Sequence, residues 1–323
     1  VDREQAVRPK PIYPPEEALR YSTRDFSSWR PRPRDIPTWR RTLLSAWRPG
    51  GSFWRLADVL REFEGGQDFT PEWETLTLGR AELWFVGSDM CDLLAAVAPS
   101  MPDAPLHVGE LPDQGAGLVL FASALTGIDA EASGVPVTVG GYLWGPASWR
   151  GNPTLGITVY GPNIFPETPL SPPYLHPLGG LVWPFGQPAD VQLADHPVVD
   201  ASMAEDRRRL RALWTISAQP DLSRSVRHVP EVRNRKKARR IASGTAERPE
   251  AVRVVYLRHQ PPRPPTEHTG RTHHHRWVTS GHWRNQAYGP KWSLHRPIYI
   301  NPYLSGPENA PLLTGEKVRA WIR

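Results

Sequence analysis

Apolar residues along this chain first keep helical spacing and then switch to short alternating runs. Phe53, Leu56, Val59, Leu60 and Phe63 recur every three or four residues, and Gly65-Gly66 follows, which predicts a helix and its stop. Next come β-rich runs from Glu72 to Val86, Leu106 to Val108, Gly117 to Phe121, Val135 to Val139 and Leu155 to Tyr160, divided by Gly, Pro and Asp. They predict the strands of one sheet. A single helix, about Ser88 to Ala98, interrupts them, with Ser88 as its expected cap and Pro99 past its end. Residues 161 to 200 are rich in Pro and Gly and carry little period, so an ordered but irregular excursion is expected.

Helical spacing returns from Ala204 to Ile216, with Leu210, Leu213 and Trp214 on one face and Arg207, Arg208, Arg209 and Arg211 around the rest. Arg and Lys then dominate without an apolar stripe, and residues 224 to 250 read as a mobile basic loop. Val252 to Leu257 is a predicted strand, Pro261 to Pro265 a connector, and Arg296 to Tyr303 and Lys317 to Ile322 further strand candidates. At the other end, Pro9, Pro11, Pro14, Pro15, Pro31, Pro33 and Pro37 prevent a continuous helix. The expected fold is α+β, in three parts. Residues 1–37 form an extended Pro/Arg-rich arm, 38–203 an acidic mixed-sheet domain with few helices, and 204–323 a small basic β-rich subdomain.

Charge sharpens that division. Residues 1–56 hold twelve Lys and Arg against six Asp and Glu, residues 57–206 three against twenty, and residues 207–323 twenty-four against seven. The formal net of +6 thus conceals a strongly acidic middle and a strongly basic C-terminal third. A surface of that sign attracts polyanions, RNA or the ribosome first and duplex DNA as the alternative. The competing expectation is that the basic third docks on the acidic middle and the two fields cancel. Cys91 is the lone cysteine, which excludes an intramolecular disulfide and fits a reducing cytosol. No apolar run reaches the length of a membrane span, so a soluble, cytoplasmic protein is expected, with no membrane partner.

The chemistry concentrates in the seventeen residues from His273 to Gly289 and just beyond. Arg271, Arg276, Arg284, Lys291 and Arg296 alternate with Trp277, Trp283, Tyr288 and Trp292. Cations hold phosphates while rings stack on unpaired bases, so Arg271, Arg276, Trp283, Arg284, Tyr288, Lys291 and Arg296 form the candidate nucleic-acid surface. The plainer alternative makes the tryptophans the core of the subdomain. If the chain cleaves RNA instead, His282 and His295 are the acid–base candidates, with Arg276 or Arg284 stabilising the phosphorane. A metal would need His273, His275 and His282, but Glu267 is the one acid between Glu250 and Glu308. No cofactor is expected, since no phosphate-binding glycine loop, zinc-finger spacing or nucleophile elbow is present.

Two features of the acidic middle attract attention. Glu62, Glu64, Asp68, Glu72 and Glu74 crowd together, at a helix end and in turns where acids face water. Trp144, Trp149 and Trp183 sit among Gly and Pro, where they either line a groove for an extended peptide or pack in the core.

A family likeness joins two of these stretches. Leu213-Trp214-Thr215-Ile216-Ser217-Ala218-Gln219-Pro220-Asp221-Leu222 follows a helix. A basic loop and a strand then lead to Arg271, His273, Arg276, Gly281-His282-Trp283, Tyr288-Gly289 and Arg296-Pro297-Ile298-Tyr299-Ile300-Asn301. Over about residues 205–302 this order resembles the C-terminal region of type V-A anti-CRISPR proteins that block biogenesis of the CRISPR effector nuclease, and of their phage and plasmid relatives. It departs from them at Thr279 and Ser280, where the family carries basic residues. The resemblance implies a mobile-element protein that recognises a target polypeptide during its synthesis and causes loss of its message. An endoribonuclease and a phage DNA-binding regulator are the alternatives.

Overall fold

The computed structural model describes residues 31–51, 53, 70–112, 115–128, 137–162, 175–193, 197–229, 232, 234–246, 249–258, 274–305 and 311. The arm up to residue 30, the helix expected beyond Phe53, the Pro261 to Pro265 connector, the strand at Lys317 to Ile322, and the candidates Arg271 and His273 lie outside them.

The architecture is mixed α+β, built on a seven-stranded sheet in the order β5-β4-β3-β2-β1-β7-β6. Its strands are β1 (Glu82–Val86), β2 (Gly117–Ile128), β3 (Val137–Trp149), β4 (Asn152–Pro162), β5 (Leu175–Pro184), β6 (Ser223–His228) and β7 (Val252–Leu257). β2 to β5 run as an antiparallel meander, and β1 lies parallel to both β2 and β7. The sheet therefore draws strands from both sides of residue 203.

Both faces of the sheet are covered, which explains why the central strands read as nearly continuous apolar runs. On one face α1 (Ile36–Ala46) and α2 (Pro71–Arg80) pack over Leu83, Phe85, Leu118, Leu120, Leu143 and Val254. On the other, α3 (Ser88–Val97) and α4 (Pro197–Ser217) cover Trp84, Val86, Val119, Phe121, Trp144 and Val255. Trp144 is the hub of that second layer, meeting Trp84 and Trp214 edge-on at 5.8 and 5.6 Å. Gly117, its cross-strand partner, leaves the space that the Trp144 ring fills.

Several expectations are corrected. Residues 71–80 form a helix instead of a strand: Thr70 accepts from the Trp73 amide at 3.2 Å, Pro71 opens the first turn, and Glu72 and Glu74 fall within it. Leu106 to Val108 is no strand, although the Leu106 backbone bridges to Gly186 and Gln187 before a tight turn at Val108–Glu110. The cap of α3 is Gly87, not Ser88, because Gly87 keeps an extended backbone while its carbonyl already accepts from the Cys91 amide at 3.0 Å. Within 161–200, β5 is a strand with one register shift beside Pro177, and its prolines are tolerated because it is an edge. Within 224–250, β6 and a short helix α5 (Arg235–Ala242) are ordered structure where a mobile loop was expected. Trp144 and Trp183 are fully buried, so they line no groove.

Beyond the large sheet, β8 (Trp277–Thr279) pairs with β11 (Tyr303–Ser305), and β9 (His282–Tyr288) pairs antiparallel with β10 (Leu294–Ile300). The β9–β10 hairpin docks on α4 and on the end of α3. Among the described residues no helix is long and apolar enough to cross a membrane.

Candidate nucleic-acid interface

The fate of the basic third decides which cations remain to meet a partner. The arginines of α4 are taken up internally. Arg207 is wholly buried and donates to the carbonyls of Val182, Ala189 and Val191 at 2.8 to 3.2 Å. Arg208 clamps Asp103 with two bonds of 2.9 Å, Arg209 bonds Glu205 and Asp206, and Arg211 bonds Glu110 at 2.8 and 2.9 Å. Arg211 also donates to the carbonyls of Ala104 and Pro105. On β7, Arg253 bonds Glu82 at 3.0 Å and lies 4.6 Å over the Trp84 ring. Here the basic third does dock on the acidic middle, and these arginines are structural.

The acid side of that contact is deeply placed. Asp206 is buried, accepts from the Tyr142 hydroxyl at 2.6 Å, and is pushed up to about 6 by loss of water despite the nearby Arg209. Glu74, expected to face water, is instead buried against β4. Thr158 and Tyr160 donate to it, and burial raises its pKa to about 7. Cys91 is buried as well, and its thiol is pushed up to about 12, which leaves it unreactive.

The β9–β10 hairpin behaves differently because side chains on a strand alternate between faces. Its inner face carries Trp283, which meets Tyr299 edge-on at 5.2 Å and donates from Nε1 to the Val97 carbonyl at 2.8 Å. Pro297 and Tyr299 are buried beside it. The outer face carries His282, Arg284, Gln286 and Tyr288, with Arg296 opposite Gln286 and Ile298 opposite Arg284. Arg284 and Arg296 are exposed, and the Arg296 guanidinium sits 5.2 Å over the Tyr288 ring. At the tip, Gly289, Lys291 and Trp292 all take positive φ, and Trp292 is 68% exposed. None of Arg284, Lys291 and Arg296 is ion-paired among the described residues.

Of the seven candidates, the hairpin thus brings Arg284, Tyr288, Lys291 and Arg296 to one outward face and its tip. Trp283 is turned inward, so the reading of it as a base-stacking ring is corrected. Arg276 stands apart, with its amide bonded to the Pro311 carbonyl. The two histidines of the cleavage set are far apart. His282 pairs with Ile300 at one end of the ladder and His295 with Ala287 near the other, on opposite faces and about five residues apart. That is roughly 17 Å along the strand. His275 meets the Trp277 ring at 5.9 Å, and His282 Nδ1 lies 3.1 Å from the Ser280 carbonyl. Among the described residues no group of three or more His, Cys, Asp and Glu is placed to hold a metal ion.

A second open cluster, missed from sequence, lies where β6 meets β7. Arg224 stands directly across from Tyr256, and Arg258 follows just past the end of β7. With Leu257 they line a cavity of about 460 Å³. Sequence reasoning lost these residues because Arg224 was assigned to a loop, and only a strand register could have paired it with Tyr256.

No protein-family model matches this sequence, and neither does any curated protein. The chain is similar in structure to AcrVA2, known from a crystal structure, with 14% sequence identity and a TM-score of 0.40, over 89% of this chain and 92% of that chain.

Proposed function

We propose that this chain is a mobile-element protein that lowers expression of a host target and grips RNA through the outer face of the β9–β10 hairpin. The observation that carries the reading is the grouping of Arg284, Tyr288 and Arg296 on one exposed surface, with Lys291 and Trp292 at its tip. Guanidiniums bind phosphates, and a half-exposed ring offers a base its flat side. The biological setting comes from the residues of the 205–302 stretch that resemble the anti-CRISPR family. In that setting the RNA is a transcript or ribosomal RNA, and the acidic part of the molecule receives the target polypeptide.

RNA cleavage by His282 and His295 draws no support from the ladder, which separates the two rings. Binding is the economical role for this face. The test is fluorescence anisotropy of a labelled single-stranded RNA over a salt series. Replacing Arg284, Lys291 and Arg296 by Ala together is expected to weaken binding and lower the slope of log affinity against log salt by about 2. Unchanged affinity and slope would remove this face from the reading. In cells, loss of the target's transcript on expression of the chain, absent with the triple variant, is the matching functional result.

A further inference from the structure

The corner between β6 and β7 is built in a way the hairpin does not explain. Tyr256 is the next-to-last residue of β7, beyond the point where Val252 and Val254 have filled the core, and remains 46% exposed. Its ring is not loose. It lies against Gly87, where a Cβ would come within 3.2 Å of Tyr256 Cδ1, so the glycine lets the ring rest on the backbone that leads from β1 into α3. The Gly87 amide is tied to the Val255 carbonyl at 3.0 Å, and the Arg258 amide to the Leu222 carbonyl at 2.8 Å. The platform is therefore held at both ends.

Two guanidiniums flank that ring. Arg224 is its cross-strand neighbour, and Arg258, the first residue past the end of β7, lines the same cavity. Both are exposed, and neither is ion-paired among the described residues. This differs from Arg253 on β7, whose charge is matched by Glu82. A half-exposed ring braced on Gly87, lining a cavity of about 460 Å³ together with two unmatched cations, suits one aromatic base and the phosphates next to it.

We infer that the β6–β7 corner is a nucleotide subsite for single-stranded RNA, in which Tyr256 stacks on an unpaired base and Arg224 and Arg258 bind the flanking phosphates. The inference rests on the RNA-binding reading and adds a second point of attachment away from the hairpin. A duplex, whose bases are already stacked, cannot use the Tyr256 ring.

The experiment compares full-length protein and variants by anisotropy with a labelled oligouridylate, with duplex DNA of equal length as the competitor. Tyr256→Ala is expected to weaken oligouridylate binding about tenfold, the loss of roughly one stacked base, while Tyr256→Phe keeps near-native affinity. Arg224→Ala with Arg258→Ala should lower the salt slope by about 1.4, two single-strand phosphates. Thermal melts of the same variants confirm that an exposed ring and two exposed cations are not holding the fold. Native affinity in Tyr256→Ala and in the double Arg variant, with binding lost in the hairpin variant, would overturn the subsite and leave the hairpin reading intact. No oligouridylate binding by the native chain would overturn both. Tighter binding to duplex DNA than to oligouridylate would also overturn the subsite.

Discussion

The indole nitrogen of Trp283 donates to the carbonyl oxygen of Val97 at 2.8 Å, so the hairpin hangs from the last residue of α3. That carbonyl ends a helix, and it also accepts from the Ser100 hydroxyl at 3.0 Å. Trp283→Phe keeps most of the apolar contact with Tyr299 and removes the donor. A loss of about 1–2 kcal/mol is expected in chemical denaturation, and Trp283→Ala should cost about 3 kcal/mol. A Phe variant as stable as the native chain would mean that the bond contributes nothing.

Gly281 governs the same junction from the other side. A Cβ there would run into the hydroxyl of Tyr299 and into Pro302, and Tyr299 is buried against the core. Gly281→Ala should therefore destabilise by about 1–3 kcal/mol and change the fluorescence of Trp283, whose ring leans on Tyr299. Native stability together with a native emission spectrum would show that Tyr299 yields freely.

The arginines of α4 divide by burial. Arg211 is enclosed and holds Glu110 and two carbonyls, whereas Arg208 and Asp103 form a partly exposed pair. Arg211→Ala leaves polar groups without partners and should cost about 3 kcal/mol. Arg208→Ala should cost less than about 1 kcal/mol, and that smaller loss should shrink further in high salt. Equal costs for the two, measured by urea denaturation, would refute the distinction.

Glu74 predicts a pH effect with a definite sign. Its folded-state pKa, about 7, stands above its ordinary 4.5, so the folded protein holds the proton more tightly. The stability linked to that proton is fully present below about 4.5 and is lost as the pH rises through about 7. The shift corresponds to about 3 kcal/mol at most across that window. Glu74→Gln should flatten this part of the curve, so the native chain loses more stability than the variant between pH 5 and pH 8. Parallel curves would show that Glu74 stays ionised. Asp206 titrates in an overlapping range in both proteins, which is why the difference between them is the quantity to read.

Much of the fold was legible in alternation and punctuation. β1, β2, the start of β3, β4, α3, the core of α4, and β7 stand where Val, Leu and Ile repeat and Gly or Pro intervenes, whereas β5 was hidden by its prolines and glycines. The helix α2 was misread because Thr75, Thr77 and the apolar residues between Trp73 and Leu78 look β-rich. Thr70, Pro71 and the acids after them carried the correct signal. What no local pattern shows is pairing at a distance. Arg211 and Glu110 are about a hundred residues apart, as are the Arg208 and Asp103 that close the same surface, so a run of arginines looked like a free charged face. The hairpin was found as a region, but which of its rings points inward depends on register, and that decided against Trp283.

The parallel pairing of Leu83–Val86 with Val252–Val255 has a further consequence for a chain emerging from the ribosome. β1 has β2 on one side early, but its other edge stays bare until residue 255 is made, and the β6 that shields β7 must fold back in the same interval. Every fragment that stops short of β7 exposes a central apolar strand. Neither charged half is therefore a self-sufficient module, and dissection of this protein by truncation should yield insoluble pieces where point substitutions yield informative ones.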